Sequence, residues 1–303
     1  MTSPLLARPG AVAGVGIDAG VAAHYGDPFR EQRVMFETGA LVDRSHRGVV
    51  RISGADRLTW LHSLTSQHLE ALPAGEVREA LILSPHGHVE HHLVVVDDGT
   101  ATWLTVEPDT SHSLVGYLDS MRFMLRVEVE DLSASYGVLS EVAGDVVRDD
   151  IVTIDELVAR VDAGSLPLVG HDAWEAHRVA RRVPRLGFET DHRTIPHEVG
   201  WIGVAVHLDK GCYRGQETVA RVHNLGRPPR RLVFGHLDGT VDELPPAHTA
   251  VSLDDRDIGF LGTAVHHAEL GPIALAVVKR ATPDDAPLST AGMAMKIERV
   301  VDA

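Results

Sequence analysis

A single cysteine stands at position 212 of a 303-residue chain, inside the run "DKGCYRGQETVARVHNLG" from Asp209 to Gly226. A thiolate, not a thiol, is the nucleophile or soft-metal ligand, and nearby cations or a helix N-terminus pull a thiol below its free pKa of about 8.5. Lys210, Arg214 and Arg221 surround Cys212 with cations, and a helix expected over 214–224 would aim its positive end at the sulfur. Gly211 and Gly215 indicate a turn in which the backbone comes close to something else. The plainer fate of a lone cysteine is that of a small buried hydrophobe.

Three further groups could do chemistry. In "HGHVEHH" (86–92), His88, Glu90 and His92 share one face of an expected strand and His91 takes the other. Two imidazoles and a carboxylate can ligate a divalent metal. With no third histidine anchored elsewhere, a solvated histidine-rich strand is the simpler reading, and no metal ligand is assigned. In "TIPHEVGW" (194–201), Glu198 follows a proline turn and could meet a hydrogen-bonding ligand or serve as a capping carboxylate. Arg178, Arg181, Arg182 and Arg185 offer forks suited to carboxylates or phosphates, against a default of a solvated helix face.

Several elements must position these groups. "VVRIS" (49–53) is a strand, followed by helical spacing of Leu58, Leu61 and Leu64. Strands are expected at 76–83, 88–96 and 100–106, with turns at "SPHG" and "DDGT", then a helix over 108–121 and a strand at 126–130. A helix over 172–183 stops at Pro184. After the break "RPPRR" (227–231), short strands parted by turns predict a β-barrel of about 70 residues. The expected organisation is a loose arm over 1–28, a body over 29–226 and the barrel over 227–303. No internal repeat is visible.

Nineteen histidines and a formal charge of −15 describe an acidic chain with strong charge response between about pH 5 and 8. Such a charge disfavours a broad nucleic-acid footprint, which needs a basic surface. One cysteine excludes an intramolecular disulfide framework and a chain-owned Cys-rich zinc or iron–sulfur site. The N-terminus lacks an early basic region, and no apolar run nears the roughly 18 residues that span a bilayer. A cytoplasmic protein is expected, with neither nucleic acid nor membrane as a direct partner.

The segment "KGCYRGQETVAR" closely resembles the signature of the YgfZ family, which is related to the iron–sulfur assembly factor IBA57 and to the T-protein (aminomethyltransferase) of glycine cleavage. Residues 39–75, 184–201, 224–239 and 271–280 resemble further blocks of that family in the same order. The resemblance implies an α+β fold: a GcvT-like ring of three small α/β units around a central folate cavity, ending in a small β-barrel. It implies tetrahydrofolate or a derivative as ligand, and a role in iron–sulfur cluster assembly or repair and hence in iron–sulfur-dependent tRNA modification. Partners would be assembly factors or client iron–sulfur enzymes. The family's working cysteine falls on Cys212, with Lys210 beside it. Ligand contacts would fall on Lys210, Gly211, Tyr213 and Arg214, and on Gln216, Glu217, Arg221 and Glu198. Arg227, Arg230 and Arg231 are next in line for a glutamyl tail.

Two departures separate the chain from the aminomethyltransferase branch. That branch carries an Asp pair where this sequence has His91 and His92, and no counterpart of its "GYTGE" segment lies between Ser135 and Trp174. Aminomethyl transfer is therefore not expected. A folate-dependent one-carbon transferase or demethylase is the alternative function, and a folate-binding regulator without chemistry a third.

Overall fold

The computed structural model describes residues 1–239 and 243–300, which divide into two compact units. The expected barrel stretch therefore includes residues 240–242 and 301–303, which lie outside the described residues.

The first unit comprises residues 1–62, 69–78 and 93–174. One of its sheets has the strand order Val146–Thr153, Tyr136–Ala143, Ala40–Asp43, Leu168–Val169; the last pair is parallel and the others antiparallel. Ala40–Asp43 is buried along its whole length because side chains on both faces are covered. Leu41 packs with Leu139, Leu157 and Val161, while Ala40 and Val42 pack with Met35, Val142 and Ala173. The helix Pro28–Thr38 starts where Pro28 fits the first turn and Asp27 accepts from the amides of Phe29 and Arg30.

The arm expected to be loose is instead built into this unit. Residues 1–28 contain two short 3-10 turns and a paired ribbon, Val12–Ala13 with Ala22–His24, and they bury Leu5, Val21 and Ala22. The glycines and alanines that give the segment its loose composition are required for close packing. A Cβ on Gly20 would lie 2.3 Å from the Met1 carbonyl oxygen.

The second unit comprises residues 63–68, 79–92 and 175–303. Its centre is a closed barrel, in order Arg230–Leu237, Gly271–Lys279, Arg256–His267, Ala250–Leu253, Leu288–Thr290, Met293–Arg299. Period-two alternation explains its two-sided packing. Along Gly271–Lys279, Ala274, Ala276 and Val278 face one apolar cluster, and Ile273, Leu275 and Val277 face another that contains Leu81, Val89, Trp201 and Tyr213. The mixed α/β architecture and terminal barrel agree with the expected fold class. No described helix is long and apolar enough to cross a membrane.

Candidate functional site: the Cys212 loop

The helix Gln216–Leu225 begins after Gly215, which sits in left-handed backbone at φ 82°. A side chain there would be strained, and its Cβ would lie 2.6 Å from the Ser84 carbonyl oxygen and 2.9 Å from the Gly87 Cα. Gly87, at φ 80°, faces back: its Cβ would lie 2.7 Å from the Cβ of Thr218. The turn 84–87 and the helix start thus meet glycine to glycine. The expected close approach exists at Gly215 but not at Gly211, which is exposed and has nothing within 4 Å of the place a Cβ would take.

Between the glycines, side chains alternate between anchoring and exposure. Cys212 is a free, exposed thiol, so it is not the buried hydrophobe of the plainer reading. Lys210 and Tyr213 are buried on either side of it. The Lys210 ammonium donates to the Thr65 carbonyl at 2.6 Å and lies 5.1 Å from the centre of the Tyr213 ring. Burial lowers the Lys210 pKa to about 8 and raises that of Tyr213 to about 12. The Gln216 amide donates to the Lys210 carbonyl at 3.3 Å. Lys210 is therefore an internal anchor of the loop, which corrects its expected place as an open cationic neighbour of the thiol.

The acceptor for Lys210 is itself held. Ser66 donates to the Ala205 carbonyl at 2.6 Å and accepts from the Leu81 amide at 2.9 Å. Gln67 donates to the carbonyls of Glu79 and Val204. His92 meets the Glu79 carboxylate at 2.7 Å and stacks on Trp201, with ring centres 4.8 Å apart. Sequence reasoning missed Thr65, Ser66, Gln67 and Glu79. Thr65, Ser66 and Gln67 follow a helix with no pattern of their own and Glu79 lies within an expected strand, and their contacts are 12–145 residues away.

Several expected ligand residues are committed elsewhere. The buried Glu198 accepts from the Ile195 amide and, through both oxygens, from the Arg230 guanidinium at 2.8 Å. Arg230 also holds Asp191 at 2.7 Å, which keeps that carboxyl well below the usual carboxylate range. Glu198 is thus the capping carboxylate, and Arg230 is a structural cation rather than an open one. Arg231 is turned inward, donating to the Thr282 carbonyl at 2.7 Å. Arg214 pairs with Glu90 at 2.9 Å. That pair and the His92–Glu79 contact engage two of the three residues His88, Glu90 and His92, to which no metal is assigned. Glu217, Arg221 and Arg227 remain exposed.

The arginine cluster also departs from the solvated helix face. Arg178 and Arg185 are buried, and Arg178 contacts Glu175 at 2.7 Å, Glu189 at 3.2 Å and Thr263 at 2.5 Å.

The fold is that of the glycine cleavage system aminomethyltransferase T from Bartonella henselae, with a TM-score of 0.83 covering 98% of this chain and 95% of that one, at 15% identity. In sequence the chain is similar to a mitochondrial iron–sulfur cluster assembly factor IBA57 homolog from Mycosarcoma maydis, 27% identical over 74% of this chain and 62% of the relative. It is also similar to the tRNA-modifying protein YgfZ of Vibrio vulnificus, 34% identical over 35% of this chain and 31% of the relative. No protein-family model matches the chain. Fold and relatives together fit the YgfZ/IBA57-like, aminomethyltransferase-related family that the cysteine segment resembles. The chain spans 62% of the length of the curated relatives it matches most extensively.

Proposed function

We propose that the chain is a tetrahydrofolate-binding accessory protein for iron–sulfur cluster assembly or repair, and thereby for iron–sulfur-dependent tRNA modification, acting through the Cys212 loop. The observation that carries this reading is the exposed thiol of Cys212 mounted between the buried anchors Lys210 and Tyr213. An accessible lone cysteine can hold a cluster transiently at a protein interface or exchange with a partner's thiol, and neither role needs four ligands from one chain. The names of the relatives, one for iron–sulfur assembly and one for tRNA modification, support the same role. Assembly factors or client iron–sulfur enzymes are the partners in this reading. Its compartment is the reducing cytoplasm, although relatives carry mitochondrial and chloroplastic names.

The donor chemistry suits a reduced folate. With a net charge of −15, the protein must offset the repulsion of an anionic glutamyl tail locally. Lys210 is held inside the loop, so the cations open to such a tail are Arg221 on the adjoining helix and Arg227 just beyond it, both exposed. Tyr213, Gln216 and the Gly211 backbone line the same segment.

The test is anaerobic purification, with absorption spectra and tetrahydrofolate titration of wild type and Cys212→Ser. Folate binding that weakens with salt, together with a cluster spectrum confined to wild type, is expected. No folate binding would remove the ligand assignment. The fold shared with an aminomethyltransferase favours a one-carbon transferase as the second reading, and methylene-tetrahydrofolate formation from a lipoyl carrier would promote it.

A further inference from the structure

Two histidines and an aspartate, far apart in sequence, converge inside the first unit. The His46 Nε2 lies 2.9 Å from Oδ1 of Asp18, and the His171 Nε2 lies 3.6 Å from the same oxygen. One potential ligand atom from each residue falls within 4.8 Å of the others. The two rings meet edge to face with centres 5.0 Å apart, and their side chains are only 2% and 6% exposed, against 15% for Asp18. We propose that Asp18, His46 and His171 form a binding site for a divalent cation of the zinc class. The assignment is independent of the role given to the Cys212 loop.

The geometry supports this on size and on donor type. Zinc bonds of about 2.0–2.1 Å to nitrogen and oxygen place tetrahedral ligand atoms about 3.3 Å apart. The separations of 2.9 and 3.6 Å bracket that edge. An ordinary Asp–His ion pair needs only one imidazole, whereas here the Nε2 of a second lies 3.6 Å from the same carboxylate oxygen. Two imidazoles and one carboxylate suit zinc, cobalt or nickel and lack the thiolate that a cuprous or iron–sulfur site would use. Three protein donors leave a fourth position for water, and Asp18 is the most exposed of the three.

The three donors come from elements that are already rigid. Asp18 ends the turn Gly16–Asp18, and its carbonyl accepts from the Val21 amide. His46 lies between the strands Ala40–Asp43 and Gly48–Ser53, and a Cβ on Gly20 would come within 3.2 Å of the His46 Cβ. His171 opens the helix His171–Ala180 immediately after Gly170, whose Cβ would lie 2.1 Å from the Ala23 carbonyl oxygen. The donors are thus presented by packing, before any ion arrives. Because Asp18 belongs to the N-terminal segment, an ion bound there would tie that segment to the unit, and binding to the folded state alone would raise stability.

Titration of tag-free, chelator-treated Cys212→Ser protein with Zn²⁺ and with Co²⁺ tests this, since that background removes the one competing thiol. One equivalent of metal, a Co²⁺ visible spectrum typical of low coordination without a thiolate band, and a zinc-dependent rise in thermal midpoint are expected. Asp18→Asn, nearly isosteric, should weaken zinc binding by at least about tenfold, the scale that even outer-shell losses reach, and should abolish the rise in midpoint. If that variant does not fold by circular dichroism, His46→Asn carries the same comparison. Absence of stoichiometric binding, or binding unchanged by these substitutions, would overturn the assignment.

Discussion

The ammonium of Lys210 is bonded to the carbonyl of Thr65 at 2.6 Å, 145 residues away in the chain, so the residue two places before the exposed thiol is fastened inside the protein. This contact makes the Cys212 loop a mounted feature rather than a loose one, and its cost is measurable. The Lys210 pKa falls from the ordinary 10.5 to about 8 because burial disfavours the ammonium. A folded-state pKa below the unfolded one means that folding releases a proton between those values. The contribution of Lys210 to stability is therefore least favourable below about pH 8 and improves as pH rises toward 10.5. Denaturant titrations should show wild-type stability rising across that window relative to Lys210→Met. Parallel pH profiles for the two proteins would show that Lys210 is not buried as a cation.

Glu189 is fully buried and accepts from the Arg185 amide at 2.7 Å, the Thr263 amide at 2.6 Å and the Arg178 guanidinium at 3.2 Å. Removing one charge of such a set leaves the other uncompensated, which costs roughly 3–5 kcal/mol. Glu189→Gln should lower unfolding stability by about that amount in denaturant titration, whereas Thr263→Val should cost only about 1–2 kcal/mol. Near-neutral behaviour of Glu189→Gln would mean that the network is solvated.

Gly87 combines left-handed backbone with a close approach to Thr218, so Gly87→Ala meets both strain and overlap. A loss of roughly 2–4 kcal/mol is expected from the two effects together. Adding Thr218→Ala should recover only the part due to the Thr218 Cγ2 at 3.0 Å, because alanine keeps the Cβ at 2.7 Å, whereas Thr218→Gly removes both atoms. A double-mutant cycle measures the recovery, and strict additivity would deny the contact.

The barrel and the cysteine segment were legible in sequence for physical reasons. Alternation along 271–279 records a strand packed on both faces, and the glycines at 87 and 215 record positive φ and close backbone approach. What was illegible depends on pairing across the chain. Glu198 and Arg230 could each be read as a ligand group, but their mutual engagement at 2.8 Å, 32 residues apart, follows only from the fold. The same holds for Arg178 and Glu189, and for Lys210 and Thr65. The N-terminal segment was misread because its small residues resemble a linker, whereas here they permit contacts too tight for any side chain, as at Gly20. Asp18, His46 and His171 span most of the first unit and leave no local pattern.

The central claim is that the chain works through the thiol of Cys212. The most direct test measures iron–sulfur-dependent tRNA modification in cells whose own copy of the gene is deleted and replaced by wild type or by Cys212→Ser. Because Cys212 is exposed, the serine variant should fold and accumulate as wild type does, yet leave modification near the level of the deletion. Restoration of modification to the wild-type level by Cys212→Ser would contradict the assignment.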